Sequence, residues 1–240
     1  MHTDKTNKNN TLLWISLIIA CILPTLATWL YFVVLSGSPI MGIVYGASKV
    51  IQFSLPVLVV ALLLREPIRF FPGKSRGLGP GIAFGAVVSI AIIALYLGYL
   101  KTSPVFAGFD AALREKLAGM GATTPARYAL LACFIAIFHS FLEEYYWRWF
   151  VYGQLRRLTR PAVAMVVSAI GFAAHHVIVV AAYTGWHQWK WILFFSLGVA
   201  VGGAVWNFLY ARHNSLMAPW ISHLLVDVAL LIVGALHLWG

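Results

Sequence analysis

LLACFIAIFHSFLEEYYWRWF, residues 130–150, sets two adjacent carboxylates, Glu143 and Glu144, in a run of apolar and aromatic residues that only a bilayer would accept. A charged side chain at membrane depth costs about 3 kcal/mol on insertion scales, so it marks a functional site and needs a partner. Working outward, the same theme recurs. Asp227 lies in APWISHLLVDVALLIVGAL (218–236), and His175 and His176 lie in GFAAHHVIVV (171–180). Arg148, His139 and His223 occupy the same kind of surroundings and are the available partners.

The rest of the chain agrees with this reading. With 61% hydrophobic and only 10% charged residues, the 240-residue sequence lies far outside the range of soluble globular domains. About 20 apolar residues cross the hydrocarbon core, and a window of that size finds roughly seven spans. They run from Leu12 to Leu35, Ile40 to Leu64, Pro80 to Leu100, Tyr128 to Val151, Ala162 to Tyr183, Trp191 to Tyr210 and Leu216 to Leu238. The alternating segments of a membrane β-barrel are absent, so the expected fold is all-α, a polytopic transmembrane helical bundle. The first run is too long for a signal-peptide h-region and is read as a span. No linker or repeat divides the chain, which is taken as a single transmembrane domain over residues 1–240. Cys21 and Cys133 both fall in apolar runs and read as packing residues.

The net charge of +10 is unevenly distributed. Lys5 and Lys8 precede the first span; Arg65, Arg69, Lys74 and Arg76 fill the second-to-third loop; Arg156, Arg157 and Arg160 follow the fourth span, and Arg212 the sixth. The opposite side receives Lys101, Arg114, Lys116, Arg127 and Lys190, offset by Asp110 and Glu115. The positive-inside rule therefore expects a cytoplasmic N-terminus and an external C-terminus. Nucleic acid is not an expected partner, because the basic residues are spread over loops with no recognised binding module. In the connection from Lys101 to Arg127, FAGFDAALREKLAGM has the spacing of an interfacial amphipathic helix, and a solvated connector is the alternative. Trp186, Trp189 and Trp191 are expected interfacial anchors.

Helical periodicity then sorts the polar groups. Residues four apart share a face, so Glu144 meets Arg148, while Glu143, about 100° round the helix, meets His139 and Trp147. One acid is paired and the other has no cation beside it in sequence. Phe172 and His176 share a face in the next motif, with His175 pointing about 100° away, so one histidine of the two is expected to face a common cavity. His223 and Asp227 are again four apart, an imidazole beside a carboxylate able to fix its tautomer or ionisation.

EEYYWR (143–148), FAAHH (172–176) and the segment ending at His223 to Asp227 match, in order, the EExxxR, FxxxH and HxxxN/D signatures. From about residue 126 to 240 the chain resembles the CPBP intramembrane proteases, the group of CAAX prenyl endopeptidases and of abortive-infection and bacteriocin-immunity relatives. The resemblance implies an endopeptidase in which Glu143 activates the attacking water, His176 helps hold or polarise it, and His223 and Asp227 complete the site and stabilise the oxyanion. Glu144, Arg148, His139 and Phe172 would support them. Asp227 stands where some members carry Asn, and an ionised Asp cannot donate to an oxyanion, so orientation of His223 is an equal reading. A metal-free, glutamate-activated water is preferred, although Glu143, His176, His223 and Asp227 are the set that would hold a divalent ion such as zinc. The expected partners are a membrane-anchored or lipidated protein substrate and the lipid bilayer, in a multi-pass protein of a bacterial inner membrane. A proton-coupled membrane transporter and a non-catalytic immunity or binding member of the same fold are the alternatives.

Overall fold

Hydropathy fixes the helices, and local chemistry fixes their ends. In this computed structural model residues 2–68 and 76–240 are described, with side chains from residue 9 onward. Among the described residues seven helices are long and apolar enough to cross a membrane: α1 (Asn9–Val34), α2 (Met41–Leu64), α3 (Leu78–Thr102), α5 (Pro125–Leu158), α6 (Pro161–Thr184), α7 (Trp186–His213) and α8 (Met217–Trp239). The short α4 (Phe109–Gly119) lies between α3 and α5, so the amphipathic spacing of that connection does form a helix. No strand is present among the described residues. The molecule is the helical membrane protein its composition requires.

The largest boundary difference is at α5, which extends from Pro125 to Leu158 rather than from Tyr128 to Val151. At its start, Thr124 accepts a hydrogen bond from the Arg127 backbone N–H at 3.4 Å and Pro125 occupies the first turn, a capped beginning that hydropathy does not register. At its end the helix continues through Gly153–Leu158, where Gln154 and Leu155 are buried and Arg156 and Arg157 face outward. A window that stops at the first polar residues cuts this turn off. Within α5, wider π-type turns over Phe134–His139 and Tyr145–Tyr152 flank the regular turn Ser140–Glu144. Such insertions concentrate at functional sites.

The connections sort to two ends. At one, Arg157 pairs with Glu66 at 2.8 Å, and Gly77 lies directly against the ring of His213. At the other, the Ser36 hydroxyl donates to Glu115 at 2.6 Å, Arg114 reaches the Leu238 carbonyl at 3.3 Å, and Gln188 reaches Pro104. Arg65, Arg76, Arg156 and Arg157 therefore belong to the first end. Arg69, Lys74 and the side chains of Lys5 and Lys8 lie outside the described residues.

Polarity is inverted relative to a soluble domain. Ile43, Val50, Leu62, Ile90 and Leu130 are all more than 60% exposed, whereas Gln52, Glu143, Glu144, Arg148, His175, Asn207 and His223 are buried. An apolar exterior of this extent is the surface a bilayer would cover. Inside, α8 packs most extensively on α3, and α6 on α7 and α1. The α3–α8 contact depends on Gly81 and Gly85, four residues apart. A Cβ built at Gly85 would stand 2.9 Å from the Ser222 Cα, and one at Gly81 would strike the Ala218 carbonyl. Small residues at this spacing let two membrane helices approach closely. The approach fixes the α8 backbone one residue before His223.

Candidate active site

Four helices carry the polar core, and each polar side chain follows from the face it occupies. α5 brings His139, Glu143, Glu144 and Arg148; α6 brings Phe172, His175 and His176; α7 brings Gly203, Trp206 and Asn207; α8 brings Ser222, His223 and Asp227. The sequence-predicted residues converge. The two glutamates, one residue apart, nevertheless enter different surroundings.

Glu144 is fully buried and tied down. Arg148 Nη1 stands 3.1 Å from its Oε1, and His223 Nδ1 2.7 Å from the same oxygen. Arg148 also donates through Nη2 to the Gly203 carbonyl at 3.4 Å, and its guanidinium lies 4.6 Å from the Phe172 ring centroid and 5.1 Å from that of Trp206. The buried cation lies against two aromatic faces and a carboxylate, although Arg148 Nε and Glu144 Oε2 make no hydrogen bond among the described residues. Trp206 stacks on His223 with ring centroids 4.3 Å apart and donates its indole N–H to Ser222 at 2.9 Å. The His223 imidazole is thus held by Glu144, Trp206 and the backbone geometry of α8.

Glu143 is also buried, at 3% exposure, yet no Lys or Arg lies within 4 Å of it among the described residues. Imidazoles surround it instead. His175 Nε2 is 3.5 Å from its Oε1, His139 Nε2 3.8 Å from the same atom, and His223 Nε2 3.8 Å from its Oε2. His223 Nε2 also faces Asp227 at 3.6 Å, the expected pair four residues apart. His223 therefore bridges the two layers, with Nδ1 on Glu144 and Nε2 between Glu143 and Asp227.

Both histidines of FAAHH reach the site, which corrects the expectation that one would. Their ring centroids are 4.1 Å apart, and Glu143 sits in the notch between their two directions, so a 100° difference around α6 still leaves each within reach. His175 makes the closer contact to Glu143 and stacks parallel to Trp147, with ring centroids 6.0 Å apart. Gly171 makes room for that indole, since a Cβ there would fall 2.9 Å from it. His176 is fixed through Nδ1 by the Phe172 carbonyl at 2.9 Å, which leaves its Nε2 as the free ring nitrogen. Phe172 is the hub of the layer, its ring meeting those of Trp147, His175, His176, Trp206 and His223.

The grouping of possible metal ligands differs from the expected set: Glu143, His175 and His176 each offer a ligand atom, all within 4.8 Å of one another, whereas His223 holds Glu144 through Nδ1. One carboxylate and two imidazoles are the donor types of a catalytic zinc site with an open position. Sequence reading singled out neither Trp206 nor Asn207, and it placed His176 rather than His175 at the site. Asn207 is fully buried and donates to the Met165 carbonyl at 3.1 Å, joining α7 to α6. A buried Asn in an apolar span was the visible signal.

An acid ringed by imidazoles inside a helical membrane bundle is a grouping able to exchange protons within the membrane. The particular family follows from comparison: the model for the family described as Type II CAAX prenyl endopeptidase Rce1-like matches residues 125–229, the stretch that holds all three motifs. The match supports the resemblance to the CPBP group of CAAX proteases read from EExxxR, FxxxH and HxxxD. No curated protein and no solved structure matches it.

Proposed function

We propose that this protein cleaves a peptide bond near the C-terminus of a prenylated, membrane-anchored protein, using water activated by Glu143. The observation that carries the proposal is the contrast between the glutamates: Glu144 is neutralised by Arg148, while Glu143 lies against imidazoles with no Lys or Arg within 4 Å among the described residues. A carboxylate committed to a guanidinium is a poor base, and one without a cation is free to exchange a proton.

In the reaction Glu143 takes one proton from water as the oxygen attacks the scissile carbonyl carbon. The oxyanion so formed accepts a hydrogen bond from an imidazole N–H, for which His223, backed by Glu144 and Asp227, is oriented. Glu143 then returns the proton to the amide nitrogen, the C–N bond breaks, and the amine-terminated fragment leaves while the anchored chain keeps a new carboxyl group. Asp227 acts on His223 as its orienting carboxylate. His175 and His139 hold the water and the Glu143 carboxylate in register.

A second reading is favoured by the grouping of Glu143, His175 and His176, which fits a divalent ion. Such an ion would acidify and position the water. The charge distribution supports a cytoplasmic N-terminus, as in a bacterial inner membrane. The test is reconstitution of the full chain in liposomes with an S-farnesyl peptide whose modified cysteine is fourth from its C-terminus. Release of the terminal tripeptide, undiminished by a chelator, is expected. Absence of cleavage contradicts the proposal, and chelator-sensitive cleavage restored by zinc selects the second reading.

A further inference from the structure

A cation stands in α2 with no function assigned to it. Lys49 is the one Lys or Arg between Met41 and Leu64, a position costing about 3 kcal/mol in hydrocarbon. It has no ion-pair partner within 4 Å among the described residues. Its Nζ donates to Gln52 Oε1 at 3.3 Å, and it lies 5.7 Å from each of the ring centroids of Tyr45 and Phe53. Gln52 is 1% exposed, and its Nε2 has no hydrogen-bond partner among the described residues. A partly buried cation and a buried amide donor without an acceptor among the described residues thus stand together in an apolar span, and an unmet buried donor is costly unless a ligand meets it.

The pair also faces the active site. Tyr45, Lys49 and Phe53 share one face of α2, and the Phe53 ring meets His139 and Tyr146, each at 6.1 Å between centroids. His139 is in turn 3.8 Å from Glu143. Lys49 is in electrostatic range of Glu143, His139 and His175. It stands back from the Phe53 level by one turn, about 6 Å along the helix.

We propose that Lys49 and Gln52 form an anion subsite that binds the free C-terminal carboxylate of the peptide being cleaved. This rests on the protease reading above and names the feature by which the site would measure its substrate. A CAAX-type substrate ends three residues beyond the modified cysteine, and an extended tripeptide spans about 10 Å, enough to carry its terminal carboxylate from the Glu143 layer past that turn. The carboxylate would accept from the Lys49 ammonium and from the Gln52 Nε2–H, charge-assisted bonds strengthened by the low dielectric around them. Proximity of the positive charge to Glu143 without direct pairing lets the same lysine hold the leaving segment and leave the base free.

The test uses the reconstituted full chain and two S-farnesyl peptides identical except that one ends in a carboxylate and the other in a carboxamide. The wild type is expected to prefer the acid by about tenfold or more in kcat/KM, chiefly through KM. Lys49→Met should bring the ratio near one by raising KM for the acid alone, and Lys49→Arg should retain the preference; Lys49→Gln is read in place of Lys49→Met if that variant does not fold. Equal cleavage of both peptides by the wild type, or an undiminished preference without the lysine, overturns the subsite and leaves the protease reading intact. Cleavage of neither peptide overturns that reading and the subsite with it.

Discussion

The layer around Glu144 and the layer around Glu143 are adjacent on α5, yet they are built on opposite principles. The first is closed: carboxylate, guanidinium, two aromatic faces and the Gly203 carbonyl lie against one another, and Arg148 and Glu144 have no measurable exposure. The second is open in the chemical sense, with an acid against His139, His175 and His223 and no fixed cation. His223 belongs to both. The difference teaches that the Glu144–Arg148 ion pair supplies rigidity beside an acid that it does not neutralise.

Breaking the closed layer should have the largest effect on stability. Arg148→Leu leaves Glu144 as an uncompensated buried charge and is expected to cost about 3–5 kcal/mol, read as a lower thermal midpoint in detergent together with loss of turnover. A smaller loss should follow from wedging apart the helices that set the height of His223. Gly85→Leu places a side chain where even a Cβ would lie 2.9 Å from Ser222, and about 1–3 kcal/mol of overpacking is expected. Turnover should fall more than the midpoint suggests, because the bridging imidazole moves while the ion pair stays intact.

The smallest effect lies outside the spans, where α4 is fastened to the α1–α2 connection. Glu115 accepts from the Ser36 hydroxyl at 2.6 Å and from Lys116 at 3.0 Å, and Lys116 also donates to Ser36. The Ser36 hydroxyl and then the Lys116 ammonium hold the Glu115 carboxyl below its ordinary value of 4.5. A depressed folded-state pKa contributes stability above the unfolded value and loses it as the pH falls through the folded one. Glu115→Gln should therefore lower the thermal midpoint slightly at pH 7, and the difference from wild type should shrink once the pH drops below about 4.5. With the side chain about half exposed, solvent screening keeps the contribution small.

The sequence made the spans legible because hydrophobic length alone specifies a membrane helix. The i, i+4 pairs Glu144–Arg148 and His223–Asp227 were legible too, since both members lie on one helix. The contact of His223 with Glu144 and the convergence of both FAAHH histidines were not, because periodicity assigns a side chain to a face without saying which helix that face meets. Lys49 was passed over for the same reason: its neighbours in sequence are apolar, and its meaning appears only when Phe53 is seen against His139. The part played by Gly81 and Gly85 likewise shows only where α8 lies on α3.

The central claim is that Glu143 is the base and that its surroundings, unlike those of Glu144, do not depend on its charge. Turnover of the farnesyl peptide and the thermal midpoint should be measured together for wild type and Glu143→Gln. A loss of about 10²–10⁴-fold in turnover with a midpoint close to that of the wild type is predicted. Unchanged turnover in a folded Glu143→Gln protein would contradict the account.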